Sequence, residues 1–288
     1  MPVLDALAGW PAANAAAAVI GPSGVLATHG DIERVFVLAS VTKPLVARAA
    51  QVAIEEGVVD LDTAAGPPGS TIRHLLAHAA GLAMNDGKAL ARPGTRRTYS
   101  NYGFAVVAET VQDESGIEFG RYLTEAVFEP LAMGSTRLEG GAAAAGFGAT
   151  STVADLAAFA ADLLRPSTVS AQMHADATSV QFPGLDGVLP GYGVQRPNDW
   201  GLGFEIRDAK SPRTGRAGAT RRGPTAISAR RAALSGRIRR PTWRWWCSRT
   251  AISASGRWIF GRPFPTRCWP RKADEKRTLA QHGYHKAQ

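Results

Sequence analysis

The chain has 288 residues, 45% of them apolar, which is enough for one large domain or two smaller ones with a sizeable core. Its formal net charge of +9 hides a division: residues 213–288 hold 16 Arg and 3 Lys against Asp274 and Glu275, a net of +17, which leaves −8 for residues 1–212. Two cysteines, Cys247 and Cys268, make neither a disulfide framework nor a metal pattern; residues 12–20 are too short to span a bilayer, and residues 1–10 lack the basic start of an export signal, so a cytoplasmic protein away from membranes is expected.

In chain order, residues 15–20, a Gly-Pro-Ser-Gly turn and residues 25–28 read as two strands around a turn. A helix is expected from about Ser40. Pro44 is tolerable only in a first turn, where its missing N–H has no helical partner, which supports that start. Leu45, Val46, Ala49, Ala50, Val52, Ala53 and Ile54 make the helix apolar on most sides and therefore buried, and Gly57 stops it. Residues 71–80 read as a short helix with His74 and His78 at i, i+4. That spacing can bind a metal, but no Glu accompanies it and no third ligand suggests itself, so packing histidines and no metal are expected. Helices follow at 102–112 and 117–128, then a flexible Ala/Gly segment at 140–148. Thr152-Val-Ala-Asp155 has the shape of a capping box and opens an amphipathic helix ended by Pro166. Residues 200–206 read as a strand.

Two short motifs carry chemistry. In Ser40-Val-Thr-Lys43 the first and last side chains share a helix face, with Cβ atoms about 5–6 Å apart. An amine at that reach helps a serine lose its proton, and backbone N–H groups at a helix start face any oxygen that becomes negative beside it. In Tyr99-Ser-Asn101, a phenol whose pKa is lowered by a nearby ammonium could take the serine proton and return it to a leaving group. An asparagine amide both donates and accepts, so it could hold a substrate or fix the lysine. These residues point to acyl transfer, and no cofactor is implied.

Together, Leu38-Ala-Ser-Val-Thr-Lys-Pro44, the stretch from Ile72 to Leu82 and Tyr99-Ser-Asn-Tyr-Gly103 resemble the class C β-lactamase-related serine hydrolases. That family includes β-lactamases, D-Ala-D-Ala peptidases and esterases. The residues 151–159 and 192–206 add to the resemblance, which covers about 15–212. It implies an α/β (α+β) chain of the β-lactamase/transpeptidase-like fold: an antiparallel sheet flanked by helices, plus an all-helical region. It implies further that Ser40 is the acylated nucleophile, that Lys43 activates it, that Tyr99 is general base and then general acid, and that Asn101 contacts lysine and substrate. The substrate would be a small ester, amide or β-lactam. The missing export signal favours an intracellular esterase or peptidase over a secreted β-lactamase.

The chain departs from the family after Tyr99. A late strand should carry K-T-G or H-x-G, and neither occurs. Arg213-Thr-Gly215 is the nearest string and has no strand pattern around it. Codon arithmetic offers a reason. Trp has one codon, so Trp243-Arg-Trp-Trp-Cys247 read one base earlier becomes an apolar, strand-like run. In the same shifted frame residues 226–229 can read Gly-His-Phe-Gly, which restores the motif. Residues from about Arg213 are therefore expected to be out of frame, with the later strands missing or disordered and this polypeptide unstable or inactive. The alternatives are an inactive binding protein of the same fold and a genuine basic tail whose Arg and Trp bind nucleic acid.

Overall fold

A computed structural model describes residues 2–5, 7, 12–190, 192–206, 250–253 and 259–260. A short helix α1 (Pro2–Asp5) precedes a hairpin of β1 (Ala17–Gly21) and β2 (Gly24–His29). β1 is buried along its whole length, as its run of Ala, Val and Ile requires, whereas β2 alternates between half-buried and exposed. Leu4 and Leu7 pack on Ala17 and Val19, which covers one face of the hairpin.

The β1 strand runs between β2 and β9 (Thr250–Ser253), and β10 (Ile259–Phe260) pairs with β9, all antiparallel. The sequence reading leaves β1 without a partner beyond β2. The structure supplies one from within the basic segment: Ala17 to Ile20 pair with Ser253 to Thr250. The shifted-frame reading of the other tail residues falls outside the described residues.

The nucleophile helix follows. β3 (Phe36–Val37) leads into a 3-10 turn at Ala39–Val41 and then α2 (Thr42–Glu55). Pro44 lies in the first turn, as its missing N–H demands, and Gly57 takes φ +74° just past the end. Ala47, Ala49, Ala50 and Ala53 are fully buried, so α2 runs through the middle of the main core. Two of its buried polar side chains tie it to distant segments. Arg48 meets Asp162 at 3.2 Å, and Gln51 donates to the Leu202 carbonyl at 3.0 Å.

Further helices pack around α2: α3 (Ile72–Leu76), α4 (Tyr102–Ser115), α5 (Phe119–Leu123, continuing as a π turn to Phe128), α6 (Val153–Leu164) and α7 (Ala171–Ala177). Thr152 caps α6 by accepting from the Asp155 N–H. The box is half made, because the Asp155 carboxylate turns instead to Ser135 N–H and the Thr136 hydroxyl. Two small sheets complete the architecture. β5 (Arg137–Leu138) and β6 (Ala149–Ser151) join β3. β4 (Arg97–Thr98) pairs in parallel with β7 (Gly187–Leu189), which is followed by β8 (Gly193–Gln195). Among the described residues no helix is long and apolar enough to cross a membrane.

Two elements differ from expectation. The helix read at 71–80 ends at Leu76, because His78 takes φ +55° and turns the chain. Residues 200–206 form a tight turn, with Trp200 bridged to Glu205, in place of a strand. The cause is glycine. Gly201 and Gly203 approach so closely that a Cβ would stand 2.1 Å from the Ala177 carbonyl oxygen and 2.1 Å from the Ala47 Cβ, respectively. The turn thereby buries Leu202 and Phe204 against α2.

Candidate active site

Ser40 lies in the 3-10 turn, and the residue before it, Ala39, takes φ +49°. A left-handed alanine costs about 1–2 kcal/mol. The distortion places Ser40 at the mouth of α2 with its hydroxyl turned toward Lys43, one turn on. The Lys43 amine is 2% exposed. Its Nζ lies 3.4 Å from Ser40 Oγ, and it donates to Asn101 Oδ1 at 2.6 Å and to the Gly146 carbonyl at 2.7 Å.

Burial pushes the Lys43 pKa well below the ordinary lysine value. In its neutral form the amine has two hydrogens. The two short contacts, to Asn101 and Gly146, take both, and the lone pair is left facing Ser40. That is the arrangement a base needs to receive the hydroxyl proton.

Tyr99 shares a hydrogen bond with Ser40, and its ring lies 4.6 Å from Lys43 Nζ. Here the electrostatics run opposite to the sequence argument. An ammonium beside the phenol is expected to lower its pKa. Instead, desolvation raises it, with the Ser40 hydrogen bond opposing and the charge of Glu205 adding. A phenol in that state keeps its proton and is a donor. All four residues singled out in the sequence (Ser40, Lys43, Tyr99 and Asn101) therefore meet in one cluster.

Three further residues build the cluster and were missed. Gly146 accepts from Lys43, and a Cβ on it would stand 2.8 Å from Asn101 Cα, so only glycine lets the two segments touch. It sits in the Ala/Gly stretch read as flexible, which here forms a 3-10 turn with Ala144 and Ala145 buried. Asn85 accepts from Asn101 Nδ2 at 2.8 Å and orients that amide. Arg97 is 1% exposed and donates to the carbonyls of Ala77 (2.7 Å), Phe182 (2.9 Å), Asn198 (3.0 Å) and Gln181. Its pKa falls to about 10 through desolvation, against the pull of Asp199. It straps the strand that leads to Tyr99 onto three neighbouring segments. Nothing in the sequence marks Asn85 or Arg97, because both act through contacts with distant backbone or side chains. Gly146 could have been suspected only from its place in a glycine-rich run.

The histidine pair is split. His74 is half-buried, with Nδ1 3.0 Å from the Thr71 hydroxyl and its ring on Phe182. His78 is buried against Tyr99. No cluster of His, Cys, Asp and Glu able to hold a metal occurs among the described residues.

The family model described as Beta-lactamase matches residues 14–245. A comparison with curated proteins finds no match. Among solved structures, a β-lactamase from Mycobacterium bovis is 81% identical, with 74% of this chain and 78% of that chain covered and a TM-score of 0.72. Two more distant structures share the fold. One is an octameric penicillin-binding protein homologue from Pyrococcus abyssi, at 19% identity, 71% and 63% coverage and TM-score 0.58. The other is a β-lactamase/D-alanine carboxypeptidase from Yersinia pestis complexed with citrate, at 19% identity, 69% and 78% coverage and TM-score 0.58. With a family match over most of its length and a close relative of known structure, the chain belongs to the β-lactamase family of serine hydrolases.

Proposed function

We propose that the protein forms an acyl-enzyme on Ser40 with small ester, amide or β-lactam substrates. The observation that carries this reading is the buried Lys43 amine, its pKa lowered by desolvation, 3.4 Å from Ser40 Oγ and anchored on Asn101 Oδ1 and the Gly146 carbonyl. Ser40 Oγ attacks the substrate carbonyl and its proton passes to Lys43 Nζ. The Ser40 backbone N–H, at the head of α2, faces the oxygen that becomes negative. Tyr99, protonated and hydrogen-bonded to Ser40, gives its proton to the leaving group as the carbonyl bond to that group breaks. It recovers a proton from Lys43, whose ring-face position 4.6 Å away keeps the two in one network. In the second half a water adds to the acyl carbonyl and the same groups return the proton to Ser40. Asn101 holds Lys43 through its oxygen, and its amide nitrogen gives one hydrogen to Asn85, which leaves the second for the substrate.

A second reading has a specific motive. The sequence carries neither K-T-G nor H-x-G after Tyr99, so the pocket acylates slowly or binds without turnover, and residues from about Arg213 are translated out of frame. Sequencing the DNA across the Arg213 codon decides the frame. Incubation with a fluorophosphonate, followed by peptide mapping, tests the main reading. The adduct is expected on Ser40 and absent from Ser40→Ala. An unlabelled Ser40 overturns the hydrolase reading. A single burst of nitrophenol from an activated ester with no later turnover selects the crippled form.

A further inference from the structure

We propose that the neutral imidazole of His78 is the positioning residue for Tyr99, fixing the phenol against Ser40 through Ser100 and through its own ring. The inference rests on the acyl-enzyme reading above and adds to it a residue that touches no substrate.

His78 is 2% exposed, and its contacts gather on the segment around Tyr99. Its carbonyl accepts from Thr98 N–H at 2.8 Å. Its Nδ1 accepts from Ser100 N–H at 3.3 Å. Its ring lies 4.5 Å from the Tyr99 ring, centroid to centroid, so one residue holds all three positions: its backbone carbonyl takes Thr98, and its side chain takes Ser100 and Tyr99. Phe104 at 5.3 Å and Trp200 at 4.6 Å, edge on, close the other sides. The turn that delivers the ring is itself unusual. A non-glycine residue at φ +55° is strained, and such strain persists where the surroundings impose it. Arg97 imposes it by donating to the Ala77 carbonyl directly before the turn.

The contact to Ser100 fixes the tautomer. Nδ1 is an acceptor, so the ring proton sits on Nε2, which is buried and has no hydrogen-bond partner among the described residues. A second proton would have to go on Nδ1, where it would face the Ser100 N–H and break the contact. The charged and titratable groups around the ring oppose that proton. Lys43 approaches from α2 and Arg97 from β4, and both disfavour an imidazolium; Glu205 and Asp199 lie beyond, next to Tyr99 and Arg97. A neutral His78 therefore belongs to the working state of the site. Acid that protonates it releases Ser100 and lets Tyr99 move from Ser40.

The test uses the full chain with its side chains labelled for NMR. In the unmodified protein, the His78 ring nitrogens should show an Nε2–H tautomer that persists from pH 8 to pH 5.5. An imidazolium at pH 6.5, or the Nδ1–H tautomer, overturns the proposal. Two variants add the positional readout. His78→Leu removes the acceptor and should move the Tyr99 phenol resonances and slow fluorophosphonate labelling of Ser40 by roughly 10–100-fold, the scale of a misplacement near 1 Å. His78→Asn supplies an amide oxygen for Ser100 N–H but no ring, and should label Ser40 at least about threefold faster than His78→Leu. Unmoved Tyr99 resonances in His78→Leu, or equal slowing by both substitutions, overturns the proposal. If Ser40 is unlabelled in the unmodified chain, the hydrolase reading fails by itself, while the tautomer and the Tyr99 resonances still decide the role of His78. Should His78→Leu not melt cooperatively, the pH dependence of the unmodified ring decides alone.

Discussion

Single atoms decide the chemistry, and Lys43 is the one on which most depends. Its proton is bound less readily in the folded chain than in the unfolded one, through burial. The unfolded chain therefore carries the extra proton between that lowered value and the ordinary lysine value near 10.4, so stability rises with pH across that window and the full penalty remains below it. Lys43→Met should flatten this slope in a series of thermal melts. It should also cut Ser40 labelling by about 10²–10⁴-fold, the usual contribution of a positioned base. Labelling of the unmodified chain should rise with pH as the amine loses its proton. Gly146 gives a second test. An alanine there meets Asn101 Cα at 2.8 Å, and the forced shift should destabilise the chain by about 1–3 kcal/mol and loosen Lys43. Urea titration and labelling of Gly146→Ala check both halves.

Among the elements, α2 governs the rest, and its anchorage is polar as well as apolar. Arg48 and Asp162 are both fully buried and 3.2 Å apart. Asp162 also accepts from the backbone N–H groups and hydroxyls of Ser167 and Thr168. Removing one partner strands the other charge, so Asp162→Ala should cost about 3–5 kcal/mol in urea unfolding, and pairing it with Arg48→Met should recover part of the loss. Much at this scale was legible beforehand. The 15–20 and 25–28 strands became β1 and β2, Pro44 and Gly57 bracket α2, and Thr152 caps α6. The misread elements share a cause. His78 and Gly203 take positive φ in turns set by distant contacts, the Arg97 donation to the Ala77 carbonyl in one case and the close approach to Ala47 in the other. Local periodicity carries no information about such contacts. The site residues were legible as a set because two short motifs hold them. Arg97 was not, since its partners lie 20 to 101 positions away in the chain.

The molecule as a whole is most exposed to change through its first strand and its histidines. β1 is buried from end to end and has β9 on one side. A chain cut before Thr250 should leave that edge open and aggregate, which light scattering at low concentration would reveal; a monomer with an unchanged melt would contradict this. His74, His78 and His174 all have pKa values lowered first by burial, with neighbouring Arg73, Lys43 and Arg48 adding to it. The folded chain then binds fewer protons than the unfolded chain below about pH 6.5, and stability falls as acid is added through that range. A melting temperature that declines steadily from pH 7 to pH 5 is expected.

The left-handed alanine in front of Ser40 has an evolutionary corollary. Glycine would relax that turn, so a screen that rewards heat resistance alone should recover Ala39→Gly early. The same change would loosen the nucleophile's backbone, and survivors of such a screen should be sturdier proteins and poorer acyl acceptors.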